Sequence, residues 1–347
     1  MRQILLRHQR KYPLSTIEDY IKLIYQGVFA GGHMITNKDS ALEYLLEECK
    51  IISNFPNKDT LYEYISNDYI RIYLKPYLKY FNDISYINNA FCQTSNSNTG
   101  NIQILKYYLL LLKEMITKKE INLNIFDSYN FLNEYEKNNY PIYHHSNIYK
   151  ENYYPNYRVI DKKYLTNDMK KKQIELFLEQ FKDKNLTVIA VEGKCCSLKS
   201  TITSLLENVT VIKADDFFLN KELKEVQTEI GDYIDYKLLE NEVLKRLTPN
   251  TYLTYKVYNC EKEEYEIKTS YIHNIVIVEG VYSYNQYIKK YYNKLIYFHV
   301  DEKDQIDRLK SRCKSKTLLN RFINEWIPKE NDYYELFDIF TSSDLII

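Results

Sequence analysis

The sequence predicts an α/β protein in three parts. A mainly α-helical N-terminal domain, residues 1–157, precedes a connecting segment and helix, 158–185, and a three-layer parallel-sheet domain, 186–347. Three observations lead there. Short apolar runs at 186–191, 209–213, 275–278, 295–300 and 345–347 alternate with helical patterns, as in a parallel sheet with helical crossovers. Residues 187–201, TVIAVEGKCCSLKST, read as a strand, a glycine-led loop and a helix start. The first 157 residues instead carry mostly helical periodicity.

In the N-terminal part, 15–25 (STIEDYIKLIY) is an amphipathic helix. Ser15 and Glu18 form its capping box, and Ile17, Tyr20, Ile21 and Ile24 line one side. A turn, FAGGHMI at 29–35, leads into a helix over 39–49. The helical pattern continues over 69–78 and 102–116, and TSNSNTG at 94–100 reads as a polar loop. The aromatic, irregular stretch 140–159 holds two prolines and reads as a crossover between domains; a Lys-rich helix over 169–181 follows.

The loop carries the chemistry. Unpaired N–H groups at a helix N-terminus and in the preceding loop converge on one point, where the helix dipole adds positive potential. Gly193, Lys194, Cys195, Cys196, Ser197, Leu198, Lys199, Ser200 and Thr201 match the phosphate-binding pattern G-x-x-x-x-G-K-[ST] except at Leu198, which stands at the second glycine. Lys199 is expected at the β/γ-phosphates of ATP and the Ser200 hydroxyl on Mg²⁺. Leucine is expected to narrow the cradle or shift its backbone.

Two further strand ends carry acids, where ligands of open parallel sheets bind. Asp215 is the candidate base for a substrate hydroxyl, or the holder of a Mg²⁺-bound water, with Asp216 as support or helix cap. Glu279, at the tip of IVIVEG, is the second candidate Mg²⁺ ligand, direct or through water. In 304–315, Arg308 and Arg312 lie four apart on one helix face and are expected over a transferring phosphoryl group; Arg321 is a third candidate. The alternative for that face is a solvated basic surface.

From the loop, Asp215-Asp216-Phe217-Phe218, the IVIVEG strand and the D-x-x-D-R-L-x-x-R run, 186–347 resembles the uridine kinase/phosphoribulokinase branch of P-loop kinases. The resemblance implies a P-loop NTPase sheet, Asp215 as base, Glu279 placing Mg²⁺, and the arginines on ATP phosphates. The whole chain also resembles uridine-kinase-like bacterial proteins with an extra helical N-terminal domain. There the shared segments are F-x-G-G-H-x-I, at 29–35, and H-S-x-x-Y…Y-x-P-x-Y-R-V, from His145-Ser146 to Val159. Leu198 departs from the branch, and 231–235 and 255–260 do not clearly repeat its nucleoside-pocket residues.

Composition narrows the classes. Lys+Arg and Asp+Glu are equal at 47 each, which speaks against an electrostatically driven nucleic-acid or membrane partner. With no long apolar run and a charged N-terminus, a cytoplasmic location is expected. The 6 cysteines show no zinc-type spacing, so reduced thiols are expected, with Cys195-Cys196 a candidate for redox chemistry. Only 7 glycines remain, so retained ones are expected where backbone needs them. His33, His145 and Arg158 are expected to be structural more often than functional. The expected activity is transfer of the ATP γ-phosphate to a small-molecule hydroxyl; the alternative is a nucleotide-binding regulator or pseudokinase.

Overall fold

Short polar side chains set the helix starts of the N-terminal half. In a computed structural model describing residues 1–31, 34–98, 100–220, 230–231 and 233–347, the first helices are α1 (Arg2–Lys11), α2 (Ile17–Phe29), α3 (Lys38–Ile52), α4 (Leu74–Tyr80), α5 (Ile84–Ser97), α6 (Ile102–Thr117), α7 (Ile125–Lys137) and α8 (Asn147–Tyr153). Asn37, Asp83, Asn101, Asn124 and Ser146 each accept a backbone N–H in the first turn of the helix they precede, satisfying donors the helix itself cannot. At α2 the cap is one residue later than expected. Asp19 accepts the Thr16 N–H at 2.9 Å, while Ser15 donates to the Tyr12 carbonyl at 2.7 Å.

Three strands were not foreseen as such. β1 (Tyr62–Tyr64), β2 (Tyr69–Tyr73) and β3 (Tyr157–Asp161) form an antiparallel sheet in that order. The expected helix over 69–78 is therefore strand to Tyr73 and helix only from Leu74; YIRIY is a β-branched and aromatic run that suits a sheet. The expected crossover at 140–159 belongs to this half, since α8 and β3 are built from it. The expected polar loop at 94–100 is helical through Ser97. By contacts the chain divides into two compact units, Met1–Met169 and Lys170–Ile347, with the boundary inside the first turn of α9 (Asn167–Leu178).

The second unit is the expected α/β sheet. β4 (Thr187–Gly193), α10 (Lys199–Thr203), β5 (Thr210–Lys213), α11 (Tyr236–Glu242), a hairpin β6 (Thr251–Asn259)–β7 (Glu264–Ile272), β8 (Ile275–Glu279), β9 (Lys294–Phe298), α12 (Glu302–Arg312), α13 (Lys316–Arg321), α14 (Ile327–Leu336), α15 (Ile339–Ser342) and β10 (Leu345–Ile346) follow in order. Five strands pair in parallel as β10-β9-β4-β8-β5. Every residue of β4 and β8 is buried, which requires cover on both faces. Ile189 and Val191 point to the side where Ile174, Phe177 and Leu178 of α9 pack. The alternate residue Glu192 points to the side of α14, where Tyr333 and Tyr334 donate to it. The long hairpin was not foreseen, although Tyr265, Ile267 and Tyr271 of β7 alternate with polar residues; most of that strand is exposed. Among the described residues no helix is long and apolar enough to cross a membrane.

Candidate phosphate-binding site

The carboxyl ends of β4, β5 and β8 meet, because β4 pairs with β8 and β8 with β5. Above them lies a cleft of about 1580 Å³. Of the residues expected at the site, Cys195 to Thr201, Asp215, Glu279, Arg308 and Arg312 line it, as do Asp216 and Arg321. Gly193 and Lys194 form the loop's base instead.

Gly193 is required there by close approach. A Cβ would come within 2.7 Å of Ser197 Oγ and 2.8 Å of Phe298 Cβ. Leu198 adopts φ 74° and ψ 12°, the left-handed region that favours glycine. That conformation costs roughly 1–2 kcal/mol for an L-residue with a Cβ. Its side chain is partly buried against the cluster of Ile189, Val191 and Ile202, and burying aliphatic surface offsets a cost of that size. The loop thus keeps a glycine-like backbone while its leucine joins the core.

Lys199 donates to the carbonyls of Gly193 at 2.6 Å and Lys194 at 3.1 Å. Ser200 Oγ donates to Glu279 Oε1 at 2.8 Å. Glu279 is 3% exposed, and its other oxygen, Oε2, is buried with no hydrogen-bond partner. Burial pushes the Glu279 carboxyl up, against the pull of Lys199. An orphaned carboxylate oxygen beside a hydroxyl is a hard-oxygen donor set that fits Mg²⁺. Among the described residues no group of three or more His, Cys, Asp or Glu could hold a metal ion.

Asp215 lies in a 3₁₀ turn just past β5. Burial raises its pKa, partly opposed by Lys199, and Asp216 adds to the rise. Asp216 is occupied, with both oxygens 2.8 Å from Lys268 Nζ of the hairpin. That pairing was not legible from residue order, because Lys268 comes from the unforeseen β7. A Cβ on Gly280 would stand 2.7 Å from Ala214 Cβ and 3.5 Å from Asp215 Oδ1, so glycine lets the two strand ends close up.

Arg308 donates to the Cys196 carbonyl at 3.0 Å and is thereby tied to the loop, while Arg312 lines the same cleft. Arg321 instead reaches Glu325 at 3.3 Å and lies over Trp326.

Sequence reading missed the anchors of the loop. Glu330 Oε2 accepts the Cys195 N–H at 3.0 Å and Gln305 Nε2 at 3.2 Å, and Tyr334 OH accepts the Gly193 N–H at 3.0 Å. Lys194 Nζ also reaches Asn331. The signal was present in α14, where Glu330 shares the helical spacing of Ile327 and Tyr333–Tyr334. A carboxylate on an apolar face marks a buried polar contact. Of the histidines singled out, His33 lies outside the described residues, and His145 binds Asp19 at 2.8 Å and Tyr157 OH at 2.6 Å inside the first unit. Arg158 pairs with Glu48 at 2.6 Å.

No family model matches the chain, and no curated protein matches it. Among solved structures it is similar to a possible uridine kinase from Bacillus stearothermophilus, 18% identical, with 52% of this chain and 96% of that chain covered and a TM-score of 0.40. It is also similar to a candidate fructose transport system kinase from Silicibacter sp. TM1040, 15% identical, covering 53% of this chain and 99% of that one, with a TM-score of 0.41.

Proposed function

We propose that the protein is an ATP- and Mg²⁺-dependent phosphotransferase that moves the γ-phosphoryl group of ATP to a hydroxyl of a nucleoside or other small molecule. The observation that carries this is the orphaned Glu279 oxygen, buried beside Ser200 and facing the cleft that Lys199, Asp215 and the arginines share. Ser200 and Glu279 would hold Mg²⁺, which supplies neutralisation of phosphate charge. Lys199, Arg308 and Arg312 add positive charge on the loop side, where phosphoryl transfer needs positioning and electrostatics more than covalent chemistry. Asp215, its pKa raised by burial, accepts the proton of the acceptor hydroxyl; a raised carboxylate is the better base near neutral pH.

The test is ADP formation from MgATP over a panel of nucleosides and other small alcohols. Asp215→Asn should retain MgATP binding and lose turnover by about 10²–10⁴-fold. A folded Asp215→Asn protein with near-wild-type turnover would remove Asp215 as the base.

A second reading, a nucleotide-binding regulator or pseudokinase, draws on the left-handed Leu198. Leu198→Gly separates the two. A large gain in phosphotransfer marks a loop that has lost its activity, and unchanged turnover in an active wild type marks a loop that tolerates leucine.

A further inference from the structure

The phosphate loop already holds a carboxylate of the chain's own. Glu330 Oε2, from α14, accepts the Cys195 N–H at 3.0 Å and Gln305 Nε2 of α12 at 3.2 Å. Both donors are neutral. Cys195 and Glu330 stand on the wall of the same cleft, yet Glu330 is only 4% exposed. A backbone N–H of such a loop suits a phosphate oxygen, and here a carboxylate oxygen has taken it. Ser197, on the same wall, keeps a buried hydroxyl without a partner. One donor of the loop is thus filled by a side chain, and another is left open.

We propose that Glu330 is a built-in competitor for the phosphate site. Its carboxylate holds the empty loop and leaves the Cys195 N–H when the outer phosphates of a nucleotide settle there. The inference rests on the phosphate-site reading and adds an autoinhibitory contact to it.

Charge sets the direction. A carboxylate and a phosphate pressed onto one donor at a desolvated wall repel each other. Burial pushes the Glu330 carboxyl up, so the ionised group regains hydration when it swings out. Gln305 is a loose anchor for it. Its Nε2 also reaches Cys195 Sγ at 3.0 Å, and its carbonyl Oε1 is buried without a partner. The base of the loop stays fixed meanwhile, because Tyr334 OH accepts the Gly193 N–H and donates to Glu192. Release of Glu330 therefore frees the Cys195 donor without dismantling the loop.

The test is titration calorimetry of MgATP and of inorganic triphosphate against the wild type and Glu330→Gln, with the fold checked by circular dichroism. Glutamine keeps the shape and an acceptor oxygen for Cys195 but removes the charge, so the loop stays held while the repulsion goes. Glu330→Gln should bind both probes about 10-fold tighter or more, and adenosine no tighter. Equal or weaker binding of both probes marks Glu330 as an anchor alone and overturns the proposal. A gain for MgATP that inorganic triphosphate does not share overturns it too, since the effect then lies away from the phosphates. Should Glu330→Gln not fold, Gln305→Leu, which withdraws the amide that keeps Glu330 on the loop, carries the same expected gain and the same refutation. Failure of the phosphate-site reading looks different: neither the wild type nor a folded variant binds either probe, and the proposal falls with it.

Discussion

Carboxylates sequestered from solvent are treated in opposite ways by the two units. In the first, Asp19 accepts His145, the Ser146 N–H and hydroxyl, and the Thr16 N–H. Burial alone would raise it, but those hydrogen bonds hold it at about 2. Glu63 accepts Tyr73 and Tyr12 and pairs with Lys11 and Arg71; it too is held well below the usual carboxylate range, against burial, chiefly by Lys11 and Arg71. In the second unit, burial prevails at Asp215, Glu279 and Glu330, and all three shift upward. At Asp19 and Glu63 the partners complete a structural network, and Glu330 is likewise used as an anchor of the loop, whereas Asp215 and Glu279 are upshifted on the wall of an open cleft, a placement that suits a ligand.

The largest expected effect is the turnover loss in Asp215→Asn described above, which should leave melting of the second unit unchanged or raised. On the other side of the comparison, Arg71→Met should destabilise the first unit by about 3–5 kcal/mol, read by denaturant-dependent hydrogen exchange in β2. It strips a partner from Glu63 and from Gln26, which Arg71 contacts at 3.0 and 2.8 Å. A loss under about 1 kcal/mol would show that the network is not a closed structural unit.

Acid should divide the two units. His8 and His145 are each held near 3, chiefly by burial and secondarily by Arg71 at His8 and despite the Asp19 hydrogen bond at His145. The folded first unit therefore binds fewer protons than its unfolded chain once pH falls below about 6.5, and each histidine costs about 1.4 kcal/mol per pH unit. Asp19 and Glu63, with depressed folded values, add to the loss further down. In the second unit the sign reverses. Folded values above the unfolded ones give stability that is complete below the unfolded carboxylate range and is lost as pH rises through the folded values. Between pH 7 and 5, hydrogen exchange should speed in α2 and β2 but not in β4 and β8. Equal acid lability in both units contradicts the comparison.

The smallest effect is expected from Leu198→Gly on stability. Relief of the left-handed strain, roughly 1–2 kcal/mol, opposes lost packing against Ile189, Val191 and Ile202 and the greater freedom of glycine when unfolded. The net change should lie within about 1 kcal/mol, measured through the single tryptophan, Trp326. A clear gain would show that the leucine contributes little to the core.

Much of the second unit was legible because parallel strands buried on both faces read as apolar runs, as VIAV does in β4 and IVIV in β8, both buried throughout. The loop, Asp215, Glu279, Arg308 and Arg312 were legible from order and spacing, and the fold brings them to one cleft. Gln305 and Lys268 were not, since each acts through partners distant in sequence, and Glu330 showed only as a carboxylate at the helical spacing of the apolar residues of α14. In the first unit, β1, β2 and β3 escaped because short tyrosine-rich strands carry polar tips that blur the two-residue period. The satisfied cluster of Asp19, His145 and Tyr157 is likewise assembled from segments over 100 residues apart.

The most direct measurement is titration calorimetry of MgATP against the intact chain and Lys199→Ala. Binding by the wild type that Lys199→Ala loses, with the fold retained, is the predicted result. A folded wild type that binds no MgATP, or a mutant that binds it equally well, would contradict a working phosphate site at this loop.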